Sequence, residues 1–190
     1  TRLQRTRGGT EIWVLHMLGN HGPAYFRRHP GAFTAYTPEC REEDLGRCEP
    51  QAIANAYDNA LRYTDEVLAR SIERLAAHAG AVDSALLYVS DHGESLGEHG
   101  LYLHGLPYAI APEVQKQVPM VFWASSGFEQ GAGLRAGCVN GLLRQRARAG
   151  GVAHDHVFHT VLGLLDVQTT LHEPALDLVA GCRAEAWASR

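Results

Sequence analysis

No run of eighteen consecutive apolar residues occurs in the chain, so nothing in the sequence has the length and hydropathy of a membrane-spanning helix. Nor does it open with the basic, apolar and small-residue succession of a secretory signal, and the segment taken alone is expected to be soluble. Basic residues form no stripe on a helical face. With 17 Lys and Arg against 21 Asp and Glu the net charge is -4, which argues against a nucleic-acid surface. The one local basic cluster, Arg144, Arg146 and Arg148, is expected in a solvated loop. A G-x-S-x-G elbow, a Walker loop, a Gly-x-Gly-x-x-Gly turn and a His-Glu-x-x-His helix are all absent, as are internal repeats and low-complexity tracts.

What is there is a globular composition. A chain of 190 residues with 45% hydrophobic content can build one domain with a real core. The start at Thr1, followed by RLQRTRGG, reads as a chain cut from something longer, with residues 1–10 as a leading segment.

Three apolar runs read as strands: EIWVLHML (residues 11–18), SALLYVS (84–90) and VPMVFWAS (118–125). Between the first two, NHGPAYFRRHPGAFTAYTPE has no steady period and is long enough for a functional loop. From Pro50 the residues Ile53, Tyr57, Leu61, Thr64, Leu68, Ile72 and Leu75 recur at steps of three and four, one helical face over about seven turns that stops before Gly80. A shorter helix is expected over HDHVFHTVLGLLDV, with Val157, Val161, Leu164 and Leu165 on one face. Strand, long helix, strand, loop, strand, helix is an α/β order. It implies a mostly parallel sheet flanked by helices.

Ligand-binding groups of such sheets gather at the carboxyl ends of strands. Asp91 and His92 end the second run, and a carboxylate beside an imidazole suits zinc or manganese. Gly93 lets the backbone turn so that both neighbours reach one ion. Glycines at 93, 97, 100 and 105 make the stretch that follows a shaped loop and not a helix, since each interior glycine costs about 1 kcal/mol of helix stability against alanine. His99 and His104 in that loop are open to reading as further ligands, anion contacts or surface residues. At the end of the first run His21 forms a second histidine-glycine corner on the same expected edge, which favours a shared site. His16, inside that run, is expected in the core.

Four cysteines are present. Cys40 and Cys48 lie close enough to close a short loop, which would imply an oxidising compartment, and their spacing is not that of a zinc ribbon. Cys138 and Cys182 either pair or stay as thiols, and spacing does not decide. The run Cys48 to Ala52 has the start of the Cys-x-Pro-x-Arg nucleophile pattern of sulfatases, but Ala52 stands where the arginine is required.

In order along the chain, HMLGNHGPAYFRRHP, TPEC with a second cysteine eight residues on, NAYDNALRYTDEVL, YVSDHGESLGEHGLYLHGLPYAIAP, QVPMVFWAS and FHTVLGLLDV resemble the lipid A phosphoethanolamine transferases. That family includes the mobile colistin-resistance enzymes that confer polymyxin resistance, and it belongs to the alkaline phosphatase and sulfatase superfamily. The resemblance runs over residues 11–182 and makes residues 11–190 the C-terminal portion of a sulfatase-like catalytic domain, incomplete as an α/β fold.

The resemblance implies that Asp91 and His92 are zinc ligands, and that His21 and His104 bind the phosphoethanolamine group or a second zinc. It pairs Cys40 with Cys48 and places the domain in the periplasm, on an enzyme of the bacterial inner membrane. The reaction it implies moves phosphoethanolamine from phosphatidylethanolamine to lipid A or lipopolysaccharide through a covalent threonine intermediate. In the family that threonine, a glutamate zinc ligand and the membrane helices precede the NHG segment. No residue here matches them, Thr34, Thr37 and Thr64 included, so the nucleophile is not in this chain and the chain alone is expected to be inactive. Glu94, Glu98 and His99 match no implied role. Two alternatives stand beside the transferase: a phosphodiesterase or other hydrolase of the same superfamily, and a truncated domain that binds an anion or a partner without turnover.

Overall fold

A computed structural model describes residues 9–184, so most of the leading segment lies outside the described residues. The chain divides into two compact units. One gathers Trp13–Glu73 and Val89–Met120, and the other gathers Arg74–Tyr88 with residues 9–12 and 121–184.

In the first unit the organising element is helix α1, Pro50–Ala76. Proline suits its first position because the missing N–H has no partner there anyway. The face that α1 buries is narrow and made of small residues: Ala52, Ile53, Ala56 and Ala60, with Asn55, Asn59 and Thr64 beside them. Tyr25, Cys40 and Leu45 pack onto it from the long loop, and Leu96 and Leu103 close the cluster. Two asparagines one turn apart lay that loop on the helix. Asn59 Oδ1 accepts the Ala35 and Tyr36 N–H groups, both at 2.9 Å, while its Nδ2 donates to Tyr36 O at 3.0 Å. Asn55 Nδ2 donates to Pro38 O at 2.7 Å. The bridge Cys40–Cys48 ties the far end of the loop where it enters α1.

After β1 (Ala85–Val89) comes a small hairpin of β2 (Ser95–Leu96) and β3 (Tyr102–Leu103), then a single helical turn, α2 (Glu113–Lys116). The hairpin is antiparallel, with Ser95 opposite Leu103 and Leu96 opposite Tyr102. Its connection uses left-handed backbone at Gly97 (φ 125°), His99 (φ 56°) and Gly100 (φ 74°), so the expected shaped loop is present.

The second unit builds on β1 and β4 (Met120–Ala124) with α3 (Ser126–Gly131), α4 (Cys138–Arg148) and α5 (Asp155–Leu164). Phe122, Leu134, Val139, Val179 and Cys182 form its core, with Ala85 and Leu87 of β1 packed against them. Ser125 closes the turn from β4 into α3, its Oγ accepting Phe128 N–H at 3.2 Å and Ser84 N–H at 3.1 Å. The bridge Cys138–Cys182 joins the start of α4 to the turn at Ala180–Cys182.

The α/β class and the helices at Pro50 and Asp155 agree with the sequence reading, and several details differ. Ser125 N–H bonds Ser84 O and Ser90 N–H bonds Pro119 O, so β1 and β4 run antiparallel. Parallel neighbours need a crossover, usually a full helix, and the connection here holds only the hairpin and one helical turn. The run EIWVLHML belongs to neither sheet, and Ile12, Trp13, Val14, Leu15 and Leu18 are exposed. A strand is made by its ladder and not by its hydropathy, and β1 takes its ladder from β4. His16 is accordingly exposed, not a core histidine. On α1 the expected face is inward at Ile53, Tyr57, Thr64, Leu68, Ile72 and Leu75, but the deepest burial is rotated toward Ala52, Ala56, Asn59 and Ala60, and Leu61 is exposed because the loop packs on alanines and asparagines. On α5 the deepest residues are His159, Thr160 and Gly163, while the expected stripe of Val157, Val161, Leu164 and Leu165 is half-buried, with Leu164 packed on the core. Arg144, Arg146 and Arg148 sit on α4, not in a loop; Arg146 and Arg148 occupy its last turn, where positive charge suits the helix dipole.

Candidate functional site

The first unit brings His21, His92 and His104 together, with one ring nitrogen from each lying within 4.8 Å of the others. The rings of His92 and His104 stack with centroids 3.6 Å apart, and His21 meets them edge-on at 5.6 and 4.8 Å. Three separate pieces of chain deliver them.

His21 comes from the corner after Leu18. Its N–H donates to Leu18 O at 3.1 Å, and Arg28 Nε donates to His21 O at 2.7 Å, so the corner is held from both sides. A Cβ at Gly22 would stand 2.5 Å from Leu103 Cδ2 and 2.7 Å from the Tyr25 hydroxyl, so any larger residue there would displace them.

His92 follows the end of β1. Gly93 behind it has no left-handed backbone, so the requirement is space and not a sharp turn. A Cβ there would collide with the carbonyl of Val114, and Gly93 N–H donates to Gln115 O at 2.9 Å. The α2 turn is thus laid against the strand end. Gln115 Nε2 completes the contact by donating to the buried Ser95 Oγ at 2.8 Å. Asp91 is 80% exposed at its side chain, and its Oδ2 lies 3.9 Å from His92 Nε2.

His104 is returned by the hairpin, one residue past β3. Its Nδ1 meets Glu94 Oε1 at 3.1 Å. Glu94 is buried and also accepts the Gly22 N–H at 3.3 Å and the Tyr25 hydroxyl at 2.9 Å. Burial first, and then the Glu94 charge, push the Tyr25 phenol well above its ordinary range, so it stays a hydrogen-bond donor. The sequence reading gave Glu94 no role. The available signal was its place two residues after His92 in a run of glycines, and spacing alone could not show that the carboxylate turns inward.

In all three histidines Nδ1 faces an acceptor: Gly22 O at 2.7 Å for His21, Gly93 O at 3.0 Å for His92 and Glu94 for His104. A carbonyl can only accept, so in the neutral ring the proton sits on Nδ1 and the Nε2 lone pair is left for a ligand. That is the arrangement in which histidines hold metals, with the far nitrogen oriented by an outer partner. Distances refine the reading. Zinc bonds of about 2.0–2.1 Å allow two ligands of one ion to stand at most about 4.2 Å apart. The 3.9 Å between Asp91 Oδ2 and His92 Nε2 fits one ion, whereas a trio spread to 4.8 Å suits an ion and a bound phosphate, or two ions, without much closure. The residues present therefore fit a metal ion, with Asp91 and His92 placed to supply two of its ligands. Among the described residues no other group of three such side chains comes as close together. Glu98 bonds Leu96 N–H at 2.7 Å and shapes the hairpin, and His99 is exposed on it.

A family profile described as Sulfatase matches residues 2–167. The chain is 42% identical over 175 residues to phosphoethanolamine transferase EptA of Salmonella typhimurium, covering 92% of this chain and 31% of that protein. It is 46% identical over 160 residues to phosphatidylethanolamine transferase Mcr-1 of Escherichia coli, covering 84% and 27%. The crystal structure of the soluble domain of lipooligosaccharide phosphoethanolamine transferase A from Neisseria meningitidis superposes with a TM-score of 0.82 at 40% identity, over 90% of this chain and 50% of that one. The chain thus spans about a third of the curated relatives and half of the solved domain.

Proposed function

This chain belongs to the sulfatase family, and on that premise we propose that it forms part of a zinc-dependent phosphoethanolamine transferase. The donor is phosphatidylethanolamine and the acceptor a phosphate of lipid A or lipopolysaccharide. Asp91 and His92 hold zinc, and His21 and His104 face the phosphoethanolamine phosphate or share a second ion. The group passes through a covalent threonine intermediate on a residue outside this sequence. The protein works at the bacterial inner membrane, with this portion in the periplasm and membrane contact made elsewhere.

The observation that carries the reading is the convergence of His21, His92 and His104 with every Nδ1 engaged. A bound zinc would lower the pKa of the nucleophile and offset charge on the transferring oxygens. The chain's own work is positional. Arg28 and the Leu18 carbonyl fix the His21 corner, α2 fixes the strand end that carries His92, and Glu94 orients the His104 ring. Phosphoryl transfer depends on such positioning more than on covalent help from the protein.

The test uses the full-length protein and its His92→Ala variant, with zinc content and transfer from a labelled phosphatidylethanolamine as readouts. Loss of both in the variant is expected, with the label appearing on a glycolipid phosphate. Undiminished zinc and transfer would refute the site. Label released only to water would make the protein a hydrolase of the same superfamily.

A further inference from the structure

Two of the three histidines depend on one buried carboxylate, and that carboxylate depends on a phenol. Glu94 Oε1 accepts the Gly22 N–H, next in sequence to His21, and the His104 Nδ1–H; Oε2 accepts the Tyr25 hydroxyl. Both Tyr25, at 1% exposure, and Glu94, at 7%, are cut off from solvent that could replace a lost donor. The ring of Tyr25 is itself fixed, packed in the core on α1 and edge-on to Tyr57 with centroids 5.4 Å apart.

We propose that Tyr25 is a positioning residue for the histidine site: by donating to Glu94 Oε2 it fixes the carboxylate that locks the His21 corner and holds His104 as the Nδ1–H tautomer, Nε2 outward. The Tyr25 hydroxyl bonds Glu94, and it reaches the histidines through that carboxylate. It works by denying Glu94 any rotation that would free Oε1, so that two segments eighty-odd residues apart in sequence share one hydrogen-bonded hub. Because a phenylalanine would keep the ring and its packing, the hydroxyl can be removed with little change to the core. The inference rests on the proposed metal site for its consequence, but not on the transferase reaction for its test.

The experiment labels histidine nitrogens in the full-length protein, stripped of metal, and reads ring tautomers at a pH where the imidazoles are neutral. His104 is expected as Nδ1–H in the parent and as a mixture in Glu94→Gln and in Tyr25→Phe. Zinc affinity, measured by chelator competition, is expected to fall about 10–100-fold in both variants, the usual effect of removing an outer partner of a metal-binding histidine. An Nε2–H tautomer for His104 in the parent would overturn the proposal, and this holds even if a variant fails to fold. Parent-like tautomer and affinity in a folded Tyr25→Phe would overturn it as well. If transfer to lipid A is not found while the tautomer shift and affinity loss are, the reaction fails and the hub stands.

Discussion

Gly93→Ala offers a sharp test of how the strand end is built. The added Cβ would collide with the Val114 carbonyl oxygen and stand 3.0 Å from its carbon and 3.3 Å from Gln115 Cα. All three are backbone atoms, so no side chain can swing away and the α2 turn must lift. Lifting it breaks Gly93 N–H to Gln115 O and withdraws Gln115 Nε2 from Ser95 Oγ. Each lost hydrogen bond is worth about 1 kcal/mol, and stranding a buried polar group adds about 1–3 kcal/mol. Gln115 is 7% exposed and Ser95 is fully buried, so the stranding term applies. The sum is a destabilisation of about 3–5 kcal/mol. Gly100→Ala is the control: its Cβ meets open space and only the left-handed φ of 74° is strained, at about 1–2 kcal/mol. Urea unfolding of the full-length protein without metal reads both, and zinc affinity then reports whether the lift carries His92 with it. If Gly93→Ala costs no more than Gly100→Ala, the glycine is not there to admit α2 and the reasoning fails.

Removing the Cys138–Cys182 bridge, which spans 44 residues, should cost about 4 kcal/mol by loop entropy, against about 2.5 kcal/mol for Cys40–Cys48, which spans 8; denaturant midpoints of the two double-alanine variants test the order. Asn59→Ala should destabilise by about 2–4 kcal/mol and speed hydrogen exchange at the Ala35 and Tyr36 amides, which lose their shared acceptor. Tyr25 keeps its proton to higher pH in the folded protein than in the unfolded chain, where phenols titrate near about 10. Above that pH the unfolded chain binds fewer protons, so stability present below it is lost as pH rises, and Tyr25→Phe should flatten the alkaline slope of the urea midpoint.

Local pattern carried much of the architecture. The Pro50 start and the three-four spacing suffice to place α1, and the glycines at 97, 100 and 105 suffice to rule out a helix after His92. What the sequence hides is set by partners. Residues 11–18 have the composition of a strand, yet pairing decides whether one forms. The inward face of α1 was legible except at its centre: hydropathy favours Leu61, which is exposed, while the loop needs the short side chains of Ala56 and Ala60 and the amides of Asn55 and Asn59. In the site, His21, His92 and His104 were each legible as histidines beside glycine or at a strand end. Glu94 was not, because an inward glutamate looks like an outward one until its three donors, from Gly22, Tyr25 and His104, are in place.

The β2–β3 hairpin sets a ruler on the chain. Leu96 pairs with Tyr102 and Ser95 with Leu103, leaving 97–101 to close the loop, and His104 follows at once. Since side chains alternate along a strand, adding or deleting one residue in that loop would slip the register and turn His104 away from Glu94 and His92. The left-handed backbone at His99 admits only residues that tolerate it, and the count between His92 and His104 is fixed by the pairing. An indel there would disable the site while leaving every one of its histidines in the sequence.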